Sequence, residues 1–211
     1  MVILKKYLNK KRNGLGQKDE KMNNDYHIHT NVTDGESSPE EIVNIARQLK
    51  IATIAFTEHI SRNPTYDWIE FRRRIKDLNS EGIGVLIGVE TKVLDSAGTL
   101  NVSDEILDKA DVVLGSVHGI GRVEWLLKSE CDIIAHPQIN NENVKLFENC
   151  NYVLEINSKY RLPFEILDRL ILNTGNVFSF GSDAHSIQDL VNAQEYFKSI
   201  LKRYPKINLF C

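Results

Sequence analysis

Cysteine is scarce and unpatterned. Cys131, Cys150 and Cys211 are the three in 211 residues, and no two stand in Cys-x-x-Cys spacing. That excludes a disulfide framework and suits a reducing, cytoplasmic compartment. No apolar run approaches the roughly 18 residues that a bilayer crossing needs, so no membrane partner is expected. Residues 1–8 hold the basic pair Lys5-Lys6 with no long apolar core behind it, which does not read as a secretory leader. Excess charge is missing too, because the net is −3. It is unevenly spread. Residues 1–24 hold seven basic side chains against Asp19 and Glu20, a net of +5, so the remainder carries −8. An acidic body argues against tight nucleic-acid binding. The basic head reads as a flexible leader, 1–22, ahead of one domain, 23–211. Met22 is a possible native start, and removal of residues 1–21 is expected to leave the rest intact.

Histidine is also rare, but its placement is not random. All six, His27, His29, His59, His118, His136 and His185, sit at or just past the end of a short apolar run. His27 and His29 are two apart in Asp25-Tyr26-His27-Ile28-His29-Thr30, so a strand would point both to one face. Imidazole is the commonest protein ligand for metals. A convergent metal site follows.

In chain order, Ser38-Pro39-Glu40-Glu41 is a capping box opening a helix with Ile42, Ile45, Ala46 and Leu49 on one face. Strands are expected at 51–56, 84–89, 112–114, 133–135, 153–156 and 177–180. Helices are expected at about 67–79, 103–107, 122–129, 141–149, from Pro163 to a stop at Gly175, and 187–202. Residues 91–101 suggest a short hairpin. Seven apolar strands alternating with helices predict a parallel sheet covered on both faces. Polar residues follow strands all around the order, which favours a distorted (β/α)7 TIM-like barrel with its site at the C-terminal face of the strands.

His27-Ile28-His29 with Asp34-Gly35, Thr57-Glu58-His59, Gly88-Val89-Glu90, Ser116-Val117-His118, Ala135-His136-Pro137, Glu155-Ile156-Asn157 and Ser182-Asp183-Ala184-His185 resemble the motif series of the PHP (polymerase and histidinol phosphatase) family. The resemblance spans about residues 25–195 and implies three divalent transition-metal ions, zinc, manganese or iron. It assigns His27, His29, Glu90 and Asp183 to the first. Glu90 bridges to a second held by His118 and His136, and Asp34, His59 and His185 hold the third. Glu90, Asp183 and His185 are the catalytic candidates. A carboxylate bridging two ions about 3.5–4 Å apart can support a hydroxide nucleophile between them.

Other residues are read more plainly. Lys92, Arg122, Lys159 and Arg161 follow strand ends and are candidate phosphate binders. Glu155 is read as structural support, Asn157 as a loop cap or substrate contact, and Glu58 as facing solvent or orienting His59.

The reading is a phosphatase of small phosphate monoesters, similar to histidinol-phosphate or broad-specificity phosphatases. A 3′-5′ nuclease or 3′-end phosphatase is the alternative, on the likeness of residues 98–118 to the PHP domain of family X DNA polymerases. An inactive PHP binding module is the third. Oligomeric state is not legible.

Overall fold

A computed structural model describes residues 23–210, apart from 79, 119, 120 and 173. The leader, and the expectation that Met22 starts the native chain, lie outside the described residues. Seven strands, β1 (Asn24–Ile28), β2 (Thr53–His59), β3 (Gly84–Lys92), β4 (Val113–Ser116), β5 (Ile133–Ile134), β6 (Val153–Asn157) and β7 (Val177–Gly181), form one parallel sheet in sequence order. The ends of the sheet meet. Ile28 bridges to Ala184. His29 N donates to Ala184 O at 3.0 Å and Asp183 N to His27 O at 2.8 Å. The result is a nearly closed, distorted (β/α)7 barrel.

The strands are apolar because both faces are covered. A small cluster of Tyr26, Ala55, Leu114, Ile133, Val153 and Phe210 takes nothing from any helix and fills the barrel interior. Phe210 is brought there when the C-terminal segment pairs with Phe178, whose carbonyl accepts from Phe210 N at 2.8 Å. The larger cluster lies between the sheet and the outer helices. Phe56 and Phe147 are fully buried in it. Truncating either to alanine should cost roughly 3–5 kcal/mol. The register of β1 slips between Asp25 and Ile28. Tyr26 therefore joins the inner cluster while Ile28 joins the outer one. Such irregularities re-aim side chains near sites.

Helix α1 (Pro39–Gln48) starts at the expected capping box. Glu41 N donates to Ser38 Oγ, and Ser38 N donates to Glu41 Oε2 at 2.8 Å. The helix buries Ile42, Val43 and Ala46, with Ile45 and Leu49 packed at the margin. Helices α2 (Trp68–Lys76), α3 (Asp104–Lys109), α4 (Phe164–Leu172) and α5 (Ile187–Arg203) follow. Ser186 and Asp189 form a second capping box at α5. The hairpin expected at 91–101 is present as an antiparallel Val93–Leu100 bridge.

Three expectations are corrected. The segments at 122–129 and 141–149 form 3-10 turns, Val123–Lys128 and Val144–Phe147, without side-chain caps. Their bonds reach the third residue back, Trp125 N to Arg122 O and Leu146 N to Asn143 O, and each runs into extended backbone, at Ser129 and Glu148. Gly175 is no left-handed helix stop, since Gly82 and Gly98 are the positive-φ glycines among the described residues. Its N–H instead bonds Asn149 Oδ1 at 2.9 Å. Among the described residues no helix is long and apolar enough to cross a membrane.

Candidate metal centre

Parallel strands deliver their C-terminal ends to one rim, and that rim gathers all nine expected ligands. The arrangement turns on Glu90 at the end of β3, which is 1% exposed. Its Oε2 faces His27 Nε2 at 3.3 Å, His29 Nε2 at 3.5 Å and His59 Nδ1 at 3.0 Å. Its Oε1 faces His118 Nε2 at 3.3 Å and His136 Nε2 at 2.9 Å. The two oxygens of one carboxylate thus serve two separate histidine sets. Asp183 Oδ1 completes the first set, 3.6 Å from His29 Nε2 and 3.8 Å from His27 Nε2.

An outer group stands beside this pair. Asp34 Oδ2 lies 3.4 Å from His59 Nε2 and 3.3 Å from His185 Nε2. His29 adjoins this group as well, with Nδ1 4.0 Å from Asp34 Oδ1. His29 and His59 therefore link the inner and outer groups, a sharing that the three-way assignment from the resemblance does not include.

The donor set fits divalent ions. His29, Asp34, His59 and His185 each present a ligand atom within 4.8 Å of the others, and so do His27, His29 and Glu90, and His59, Glu90 and His118. His27 Nε2 and His29 Nε2 face each other at 3.1 Å. Nδ1 of buried His29 has no hydrogen-bond partner among the described residues. Imidazole lone pairs and carboxylates aimed at common points suit zinc, manganese or iron.

The supports are buried. Glu155 accepts from His27 Nδ1 at 2.7 Å, from His136 N, and from Asn157 Nδ2 at 3.0 Å. A proton on His27 Nδ1 leaves the Nε2 lone pair for the centre. His185 Nδ1, 2.9 Å from the Asp183 carbonyl, is fixed in the same way. Asn157 Oδ1 caps the loop by accepting from Lys159 N and Tyr160 N, both at 2.8 Å. A Cβ at Gly181 would fall on the Glu155 carboxylate. His136 at φ 28° and Asp183 at φ 54° adopt left-handed backbone. Such conformations persist in non-glycine residues where the surroundings over-determine them, often at functional sites.

Electrostatics match the geometry. Burial penalises the His27 cation, but Glu155 and Glu90 outweigh it and raise its pKa well above the ordinary value. Burial also opposes ionisation of Glu90, yet His27 and the other facing histidines hold it well below the carboxylate range. Burial pushes His29 down to about 4, so it stays neutral. Metal uptake therefore competes with protons at His27.

Two acidic residues were not recognised from sequence. Glu58 neither faces solvent nor orients His59. It is buried, accepting from Thr30 N at 2.9 Å and from the Thr33 hydroxyl. Burial raises its pKa to about 7. Asp25 closes the barrel seam by accepting from Ser182 N at 2.9 Å. Burial raises it to about 7 as well. In both cases the sequence signal was a carboxylate inside an apolar strand.

Recesses flank the centre. One of about 270 Å³ is lined by His59, Ser61, Thr65, Lys92, Asn101 and His118 among others. The other, about 630 Å³, is lined by His118, His136, Pro137, Lys159, Tyr160 and Leu162 among others. Lys159 Nζ stands 3.3 Å from His185 Nδ1 and has no acidic partner among the described residues. Arg161 also lines the larger recess, but it is committed elsewhere. Its Nε donates to Ser158 O at 2.8 Å and its Cζ lies 4.3 Å from the Tyr196 ring centroid. Arg122 pairs with Glu124 at 3.5 Å and lines neither recess.

The PHP domain family model matches residues 25–144. The chain belongs to the PHP family. Among similar proteins, a probable phosphatase of Thermoanaerobacter sp. is 29% identical over 83% of this chain and 84% of its own length. The DNA polymerase/3′-5′ exonuclease PolX of Bacillus subtilis is 27% identical over 79% of this chain, but only 35% of that protein is covered. The crystal structure of histidinol phosphate phosphatase from Lactococcus lactis, complexed with zinc, L-histidinol and phosphate, superposes with a TM-score of 0.69. It is 18% identical and covers 89% of this chain and 95% of that one. At that identity the likeness is one of fold.

Proposed function

We propose that this protein is a metal-dependent phosphoesterase that hydrolyses small phosphate monoesters. The observation that carries the reading is Glu90, whose two oxygens each face a different set of histidines. That is the donor arrangement for two ions joined by one carboxylate. His27, His29, Glu90 and Asp183 would hold one, Glu90, His118 and His136 a second, and Asp34, His59 and His185 a third. Bound divalent ions supply Lewis acidity, polarising phosphoryl oxygens and lowering the pKa of a water from about 15.7 toward 7.

The chain's own residues do the rest. Glu155 holds the His27 ring, and the Asp183 carbonyl holds the His185 ring. Asp183 and His185 close the centre where β7 ends. Lys159 in the larger recess and Lys92 in the smaller one place positive charge beside the centre, where they can meet phosphate oxygens. The larger recess, with its apolar wall of Pro137, Tyr160 and Leu162, receives the esterified alcohol. Relatives named as probable phosphatases support this reading.

The test is a panel of phosphomonoesters, including histidinol phosphate and nucleotides, assayed with zinc, manganese and iron. Phosphate release from monoesters is the expected result. Degradation of a single-stranded oligonucleotide with no release from any monoester would replace this reading with the nuclease one.

A further inference from the structure

One wall of the larger recess is the short segment that follows β6. Lys159, Tyr160, Arg161 and Leu162 all line the recess. Asn157 Oδ1 holds the start of this segment by accepting from Lys159 N and Tyr160 N. Tyr160 closes over His136, with ring centroids 5.3 Å apart. Two cations therefore stand in one fixed wall, on the side where the alcohol of a monoester would sit.

Both cations have neutral neighbours. Arg161 Nε donates to Ser158 O at 2.8 Å, and its Cζ lies 4.3 Å from the ring centroid of buried Tyr196. Those contacts keep the guanidinium off the metal centre but hold its charge in the wall. Lys159 Nζ stands 3.3 Å from His185 Nδ1. The carboxylates of the centre, Glu90, Asp34 and Asp183, all face histidines. Among the described residues no acidic side chain lines the larger recess. An alkylammonium entering it would lose water beside two like charges and find no anion to accept it. A carboxylate entering it would meet opposite charge.

We infer that Lys159 and Arg161 make this recess select the charge of the alcohol, admitting monoesters of neutral or anionic alcohols and rejecting those whose alcohol carries an ammonium. Histidinol phosphate belongs to the rejected class. The inference rests on the monoesterase reading above, and Arg161 enters it as a specificity residue. Unfavourable charge at a binding site is a common way to discriminate between otherwise similar partners.

The experiment compares kcat/KM for three two-carbon monoesters, ethyl phosphate, phosphoglycolate and phosphoethanolamine, near pH 7.5, where an alkylamine is protonated. Each value is taken relative to ethyl phosphate, and each variant is compared with wild type, so that differences in leaving-group reactivity cancel. In Arg161→Gln, relative kcat/KM should fall roughly two- to fivefold for phosphoglycolate and rise by a similar factor for phosphoethanolamine, the worth of one screened pair of exposed charges. Arg161→Lys, which keeps the charge, should keep both wild-type preferences. Raising the salt to about 0.5 M should move the wild-type ratios toward those of Arg161→Gln. Unchanged ratios in Arg161→Gln overturn the inference. So does a loss of equal size for all three esters, or an Arg161→Lys protein that behaves as Arg161→Gln does. A wild-type protein that releases phosphate from none of the three overturns the monoesterase reading itself and the inference with it, a failure visible before any variant is made.

Discussion

Exchanging Glu90 for glutamine perturbs the group that both inner histidine sets share. Glutamine keeps the shape and one carbonyl oxygen but turns the other position into an amide nitrogen, which cannot ligate. On one side the lost oxygen is the one facing His27, His29 and His59 at 3.0–3.5 Å. On the other it faces His118 and His136 at 2.9–3.3 Å. Whichever way the amide turns, one set loses its carboxylate, and the negative charge between two cations is gone. Activation by paired ions contributes several kcal/mol. Phosphatase activity should therefore fall at least about 100-fold, roughly 2.7 kcal/mol. Elemental analysis should show at least one ion fewer per chain. The fold should survive, because an amide N–H can donate to a facing imidazole and a buried charge has been removed. Melting of the metal-free variant should stay within a few degrees of wild type. Near-normal turnover with full metal occupancy would refute the shared-carboxylate argument.

Stripping the metal with a chelator should lower the melting temperature by roughly 5–10 °C for each site that was held at about 100 times its Kd. Unchanged melting in protein shown to be metal-free would contradict a centre coupled to the fold. Asp25→Asn should stabilise the metal-free protein at pH 8 by up to about 4 kcal/mol and have little effect near pH 4. The sign follows from a folded pKa raised from 3.8 to about 7. Stability is intact below the unfolded value and is lost as pH rises to about 7, a loss that asparagine lacks. A pH-independent difference between Asp25→Asn and wild type, measured by thermal melts from pH 4 to 8, would show that Asp25 is not neutral when buried. Tyr160→Ala should raise KM for aryl phosphates by up to about tenfold, the worth of a stacking contact, and leave inhibition by inorganic phosphate unchanged. Equal KM values in the two proteins would remove Tyr160 from the alcohol site.

The centre was largely legible because its donors are rare residue types at the ends of apolar runs. His27-x-His29 and Asp183-x-His185 show the period of two directly, and seven strand-helix alternations place their ends on one rim. What sequence could not show is set by long-range closure. Asp25 reads as an ordinary polar strand start until Ser182, 157 residues away, is laid beside it. Glu58 reads as a rim residue until the loop after β1 folds over it. Arg161 and Lys159 look equivalent in sequence, but Tyr196 withdraws the arginine and leaves the lysine. The 3-10 turns at 123–128 and 144–147 carry apolar residues at helical spacing, and their early passage into extended backbone at Ser129 and Glu148 leaves no mark in the sequence.

The seam between β1 and β7 also governs when the centre can exist. Synthesis at 5–20 residues per second separates His29 from His185 by roughly 8–31 seconds. Throughout that interval the chain displays His27 and His29 without the Asp183 that completes their set. Loop closure over such a span comes late in folding, since its entropy cost precedes any contact that repays it. Metal selection thus falls to the finished barrel. A nascent chain, or one truncated before β7, offers loose histidines to whichever cation binds imidazole most tightly, and has no fixed geometry with which to refuse it.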